Sequence, residues 1–224
     1  MPHSLNMPML PMYLQLLEAL TAQPGSDTTQ RSMTTGSYHK AAMILKPLLP
    51  PSASARVLDY GSGLGLGTQA MSRVLGRTVV VDSYEPTPTK AKSAPTYTVS
   101  SQITDTYDGV VCLNVLNVLE PTLRKQVLRH LFTTLSPTGV AIIGTRKWSG
   151  DVSATKRGTP GDEPHSVWVH VATPSGVRQV YQRGFDGAEL VEYVSQFVGP
   201  KYQVTRLPRI AASAVLVTPR VRTQ

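Results

Sequence analysis

Cysteine is nearly absent from this sequence: Cys112 is the single one. That excludes a disulfide framework and a cysteine-rich zinc site, and it suits a reducing, cytoplasmic setting. Long apolar runs are missing too. No segment approaches the ~18 apolar residues of a membrane-spanning helix, so no membrane partner is expected. The stretch MPHSLNMPMLPMYLQLL is apolar in places, but Pro2, Pro8 and Pro11 interrupt it and no early Lys or Arg precedes it. A secretory signal is therefore not expected. Acidic residues are in deficit, 14 Asp and Glu against 22 Lys and Arg, for a formal net charge of +8. A basic surface favours anionic partners, including nucleic acid. Here the positive charges are spread out in short pairs such as Arg124-Lys125, Arg146-Lys147 and Lys156-Arg157, which suits a merely solvated face equally well. No His, Cys and carboxylate spacing resembles a metal site, and no metal is expected.

What is present is an alternation of short apolar runs with helical periodicity. Pro11–Ala22 and Ser37–Leu49 have helical spacing, the second ended by Pro50-Pro51. Strands are expected at Arg56–Asp59, Thr78–Asp82, Thr96–Ser100, Gly109–Leu113 and Val140–Gly144. Helices are expected at Thr68–Leu75, stopping at Gly76, and at Leu123–Leu135. Ser136–Gly139 reads as a turn. Strand–helix alternation implies a parallel sheet with right-handed crossovers, and wholly apolar strands imply helices on both faces. Trp148–Pro164 is polar and reads as a loop. Ser166–Ala172 and Val177–Arg183 flank Thr173-Pro174-Ser175-Gly176, a hairpin signal. Asp186 is a plausible N-cap for a helix over Gly187–Phe197, and Tyr202–Leu207 and Ala214–Thr218 read as closing strands. The expected division is a helical extension over 1–50 and one α/β domain over 51–224.

The most informative stretch is Arg56–Gln69, RVLDYGSGLGLGTQ. A strand ending in Asp59 runs into a glycine turn and then into a helix, the arrangement that binds a nucleotide at a helix N-terminus. The glycines are Gly61, Gly63 and Gly65. A dinucleotide fingerprint needs glycine at 66 or 68, where Leu66 and Thr68 stand, so a nicotinamide cofactor is disfavoured. An acidic residue that accepts from ribose hydroxyls is expected about 20 residues on, at the end of the second strand. Asp82 and Glu85 both qualify, and either could instead only cap the turn before Pro86. At the end of the fourth strand stand Asn114, Val115 and Asn117. The two asparagines could line a ligand or serve as turn residues.

The G-x-G-x-G spacing resembles the first motif of class I S-adenosylmethionine-dependent methyltransferases, and Tyr84-Glu85-Pro86 resembles the Tyr-Asp-Pro found after their second strand, which favours Glu85. Asp108–Leu119, DGVVCLNVLNVL, resembles a phage and bacterial subgroup with a VLNV segment, related to proteins encoded beside DNA phosphorothioation systems. Pro137-Thr138-Gly139, Arg146 and Tyr181–Phe185 followed by Glu189-Leu190 match that subgroup. Tyr38-His39-Lys40-Ala41-Ala42 matches it only loosely. The resemblance spans roughly residues 38–200. It implies a Rossmann-like methyltransferase fold: a mostly parallel seven-stranded sheet with helices on both faces, an N-terminal helical extension and a hairpin insertion after the fifth strand. It implies S-adenosylmethionine as cofactor, held by Asp59, Gly61, Gly63, Gly65, Asp82, Glu85, Asn114 and Val115.

The acceptor is not named by any motif. The Pro-Pro-aromatic segment of amino-methylating DNA enzymes is replaced by Asn114-Val115-Leu116-Asn117, and Cys112 lies inside a strand with no Pro before it. A small molecule or a nucleic-acid component remains open, and a catalytically silent nucleic-acid-binding or virion-associated protein is the alternative. His165, His170 and Arg146 are the candidate catalytic residues. His130, Trp148 and Trp168 read as packing residues at least as readily as pocket residues.

Overall fold

The computed structural model describes residues 35–51, 54–88, 91–153, 158–173 and 176–220. The helix expected at Pro11–Ala22 lies outside them. In chain order the elements are α1 (Thr35–Leu45), β1 (Ala55–Tyr60), α2 (Leu66–Leu75), β2 (Val79–Tyr84), β3 (Tyr107–Leu113), α3 (Pro121–Thr133), β4 (Leu135–Thr145), β5 (Gly158–Pro160), β6 (Ser166–Thr173), β7 (Gly176–Arg183), α4 (Gly187–Ser195), β8 (Tyr202–Arg206) and β9 (Ser213–Pro219). Short 3-10 turns follow α1 at Lys46–Leu48 and β3 at Leu116–Val118.

The main sheet has strand order β2-β1-β3-β4-β9-β8. β2, β1, β3 and β4 are parallel, and β9 is antiparallel to both β4 and β8. The apolar strand runs are split by the two-residue period of the pleat. Leu58, Val110, Cys112, Ala141 and Ile143 face α3 and α4, packing with Leu128, Leu131, Leu190 and Val194. Val57, Val111, Val140 and Ile142 face α1 and α2, packing with Ala41, Ala42, Leu45, Met71 and Leu75. Both faces are covered, so the strands need no polar side.

The sheet has six strands, not the seven expected. Thr96–Ser100 contributes only one parallel bridge, Tyr84 to Tyr97. The Tyr97 N–H donates to the Ser83 carbonyl (2.9 Å) and the Glu85 N–H to the Tyr97 carbonyl (3.1 Å). Beyond that the ladder fails because the N–H groups of Thr98 and Val99 both go to Gln102 Oε1 (3.1 and 3.2 Å), capping the 3-10 turn Ser100–Gln102. Ser136–Gly139 is not a free turn but a bulge inside β4. Tyr107 faces Leu135 while Gly109 faces Val140, so β4 gains extra residues there. The segment expected as loop over Trp148–Pro164 contains β5, which pairs with β6. With β7 these form a separate three-stranded antiparallel sheet.

Candidate active site

The carboxyl ends of β1, β2, β3 and β4 meet around the glycine turn. Gly61, Gly63 and Gly65 have φ of 83°, 56° and 77°, values that favour glycine. The turn is pinned to the end of β2. The N–H groups of Gly61 and Ser62 both donate to the Tyr84 carbonyl (2.8 and 3.0 Å). The Gly63 N–H donates to Glu85 Oε2 (2.7 Å), while Glu85 Oε1 accepts from the Thr87 N–H and hydroxyl (3.1 Å each). A Cβ on Gly61 would collide with the Val115 side chain, and one on Gly67 would meet the Tyr38 ring at 2.5 Å.

The two acidic candidates of β2 part company here. Glu85 meets the glycine turn. Asp82 is paired with Arg56 and accepts from the Tyr107 hydroxyl (3.1 Å). That cluster includes Asp105, which also holds Arg56, and Asp82 makes its contacts there through Oδ2.

Asp59, next to last in β1, is fully buried. Its Oδ2 accepts from the Thr68 hydroxyl of α2 (2.6 Å). Burial pushes its carboxyl up to about 7; the Thr68 hydrogen bond opposes that rise, Glu85 adds to it, and the Tyr38 hydroxyl opposes it. Tyr38 is itself pushed well up by burial and then by Asp59.

Asn114 follows β3 with φ of 58°, and its N–H donates to the Gly144 carbonyl (2.7 Å). This left-handed residue turns the chain so that Val115 packs on Gly61. Asp59 Oδ1, Asn114 Oδ1, Asn117 Oδ1 and Thr145 Oγ1 are buried without a hydrogen-bond partner. All four belong to the ends of β1, β3 and β4 or the turn just after β3. An unpaired buried polar atom costs roughly 1–3 kcal/mol. A group of them on one sheet edge is what a polar ligand would satisfy.

On the far side of this edge, Arg146 pairs with Asp151 and donates to Gln182 Oε1 (3.3 Å). His165 has a left-handed backbone (φ 62°), stacks on Trp148 at 5.2 Å between ring centroids and sets Nδ1 3.1 Å from Glu189 Oε2. Glu189 also accepts from Arg183 Nη2 (2.7 Å) and from the Asp186 N–H (3.2 Å). His170 sits farther along β6, opposite Gln179 and 3.1 Å from its amide nitrogen. Trp168 packs on Tyr181, and His130 Nδ1 meets the Tyr60 hydroxyl (2.7 Å) inside the core. Cys112 is buried, with its thiol pushed up by desolvation. Among the described residues no group of His, Cys, Asp and Glu could hold a metal, and no helix is long and apolar enough to cross a membrane.

Sequence reasoning missed Tyr38 and Thr68 at Asp59, and the charged group of Arg124, Glu163, Arg183 and Glu189 beneath the second sheet. One signal was available for the last. Arg124 occupies the same helical stripe as Leu128 and Leu131, where an apolar residue belongs.

A methyltransferase domain model matches residues 33–184. A search of curated proteins finds no match. Among solved structures, an S-adenosylmethionine-dependent methyltransferase from Clostridium acetobutylicum is similar at 10% identity and TM-score 0.57, covering 94% of this chain and 100% of that one. The sugar N-methyltransferase KedS8 from Streptoalloteichus has 12% identity and TM-score 0.56 over 85% and 90%. The CcbJ methyltransferase from Streptomyces caelestis has 14% identity and TM-score 0.58 over 86% and 98%. At these identities the structural likeness speaks for the fold, and the family match covers more than half of the chain. The protein belongs to the methyltransferase domain family and is an S-adenosylmethionine-dependent methyltransferase with a Rossmann-like fold.

Proposed function

We propose that the protein methylates a small-molecule acceptor carrying an N–H or O–H, in a site between the glycine turn and the β5–β7 sheet. The observation that carries this reading is the set of unpartnered buried polar atoms on Asp59, Asn114, Asn117 and Thr145. Gly61, Gly63, Gly65 and Val115 would shape the turn against the donor, Glu85 would accept from its ribose hydroxyls, and Asp59 would meet its ammonium group. Asp82, committed to Arg56, would act only at a distance. When bound, S-adenosylmethionine supplies an electrophilic methyl group, whose bond to sulfur breaks with the electron pair staying on sulfur.

The chain's own work is to align the acceptor, exclude water and take a proton. His165 is suited to that last task. Glu189 already accepts from Arg183 and Asp186, so as a carboxylate it takes the Nδ1–H of His165 and leaves Nε2 with its lone pair. As the acceptor atom bonds to the methyl carbon, its proton passes to Nε2, and Glu189 stabilises the imidazolium. The Trp148 ring holds the imidazole flat from one side. Arg146, tied to Asp151, is assigned to shaping the pocket, and His170 to the hairpin.

Three finer readings rest on sequence character alone. The VLNV segment suggests a phage or bacterial subgroup. The second sheet is assigned as an insertion covering the acceptor. The single buried cysteine suits the cytoplasm. The basic charge keeps a nucleic-acid component as a second acceptor class, while the sugar methyltransferase among the structural neighbours supports a small molecule. Radiolabelled methyl transfer into fractionated cell extract distinguishes them. Label in small metabolites, reduced roughly 100-fold or more by His165→Asn, supports the proposal; label confined to nucleic acid, or an undiminished His165→Asn rate, overturns it.

A further inference from the structure

The largest fully buried side chain in the described structure is a charged one, Arg124. It stands near the start of α3 and reaches backward along the chain. Its Nε donates to the Leu116 carbonyl (2.9 Å) and its Nη2 to the Leu119 carbonyl (2.6 Å), so it grips both ends of the Leu116–Val118 turn. That turn follows Val115, which abuts Gly61 of the glycine turn, and it carries Asn117. The same Nη2 donates to Glu163 Oε1 (2.7 Å). Glu163 stands between β5 and β6. It also accepts from the Tyr181 hydroxyl of β7 and faces Arg183 Nε at 3.5 Å. The rings of Tyr181, Phe185 and Tyr193 surround the Arg124 guanidinium at 5.4–5.8 Å. Burial opposes the charge of Arg124, but its hydrogen bond and attraction to Glu163 outweigh that and raise its pKa.

A pair like this is a poor way to stabilise a fold. Desolvating two ions roughly cancels their attraction, and apolar replacements of similar volume are often neutral or better. Arg124 carries a further cost, because its buried Nη1 has no hydrogen-bond partner. Leu128 and Leu131, on the same stripe, show what packing alone would select. What the guanidinium supplies and a leucine cannot is a directional link between two backbone carbonyls at the donor turn and one carboxylate on the second sheet.

We propose that Arg124 is a positioning residue for the donor site, and that Glu163 couples the β5–β7 sheet to that site through it. The inference rests on the donor-site reading above. Because coupling between sites is reciprocal, whatever moves the second sheet, an arriving acceptor included, shifts donor affinity through Glu163 and Arg124. Calorimetric titration with S-adenosylhomocysteine, together with thermal melting, tests this on the full chain. Arg124→Met and Glu163→Gln are each expected to weaken S-adenosylhomocysteine about tenfold with a small change in Tm. The double variant is expected to be no weaker than the worse single one. S-adenosylhomocysteine binding within about twofold of wild type in folded Glu163→Gln overturns the coupling, as does full additivity in the double variant. If Arg124→Met fails to fold, Glu163→Gln, which preserves shape, decides alone. A wild-type chain that binds no S-adenosylhomocysteine removes the donor reading and this inference with it, whereas normal binding in every variant removes the coupling only.

Discussion

A carboxyl group buried at a strand end is costly to ionise, and Asp59 is held at about 7 against an ordinary value of 3.8 by burial first of all. A raised carboxyl value means that the folded chain holds the proton more tightly than the unfolded one. The stability it contributes is full below about 3.8 and is lost as pH rises through about 7. The ligand-free protein is therefore expected to lose stability across that interval, and a cationic ammonium beside Asp59 to restore it. Melting curves check this: the rise in Tm caused by S-adenosylhomocysteine should be larger near pH 8 than near pH 6, and equal rises would count against the assignment. Asp59→Asn should flatten the pH dependence and weaken donor binding. The glycines give a second residue-scale contrast. Gly61→Ala must strain a φ of 83° and displace Val115, whereas a Cβ on Gly63 meets open space. Both carry a left-handed cost of about 1–2 kcal/mol, and Gly61→Ala adds an overpacking cost of about 1–3 kcal/mol. Denaturant midpoints for the two variants check the order.

α4 begins with Asp186, whose side chain accepts from the backbone of the helix while Glu189 reaches back to the Asp186 N–H. Asp186→Ala is expected to cost about 1 kcal/mol, or about 2–4 °C in Tm, with a larger effect on methyl transfer because Glu189 also orients His165. Unchanged melting and unchanged transfer would contradict that double role. This cap was legible in the sequence, since Asp186 precedes a helical run with Glu three positions on. β1 to β4 were legible for a related reason: β-branched runs such as Val79-Val80-Val81 and Val110-Val111-Cys112-Leu113 favour strand, although Val80, on the edge strand β2, is exposed. Thr96–Ser100 was misread because its amides had a nearer partner, Gln102 Oε1, which no strand propensity records. Ser136–Gly139 was misread because turn residues also suit a bulge. The glycine turn was legible because Gly61, Gly63 and Gly65 stand in one contiguous motif directly after β1. Arg124, Glu163, Arg183 and Glu189 come from separate elements and meet only in three dimensions, and a charged residue on an apolar helix stripe was their one trace.

Across the whole molecule, one main sheet sorts packing from chemistry. Its two faces bury continuous apolar runs under α1 and α2 on one side and α3 and α4 on the other. Its carboxyl edge gathers the glycine turn, Glu85 and the unpartnered buried polar atoms of Asp59, Asn114, Asn117 and Thr145. The second sheet is assigned above to covering the acceptor, and His165 stands just before its central strand β6. On the reading proposed above this edge holds S-adenosylmethionine, and the decisive measurement is calorimetric titration of the intact protein with S-adenosylhomocysteine near pH 8. One site per chain is expected, weakened at least about tenfold by Glu85→Gln and by Gly61→Ala, since each removes more than about 1.4 kcal/mol of ligand or turn contact. Absence of binding in the folded wild-type chain, or binding that neither substitution changes, would contradict it.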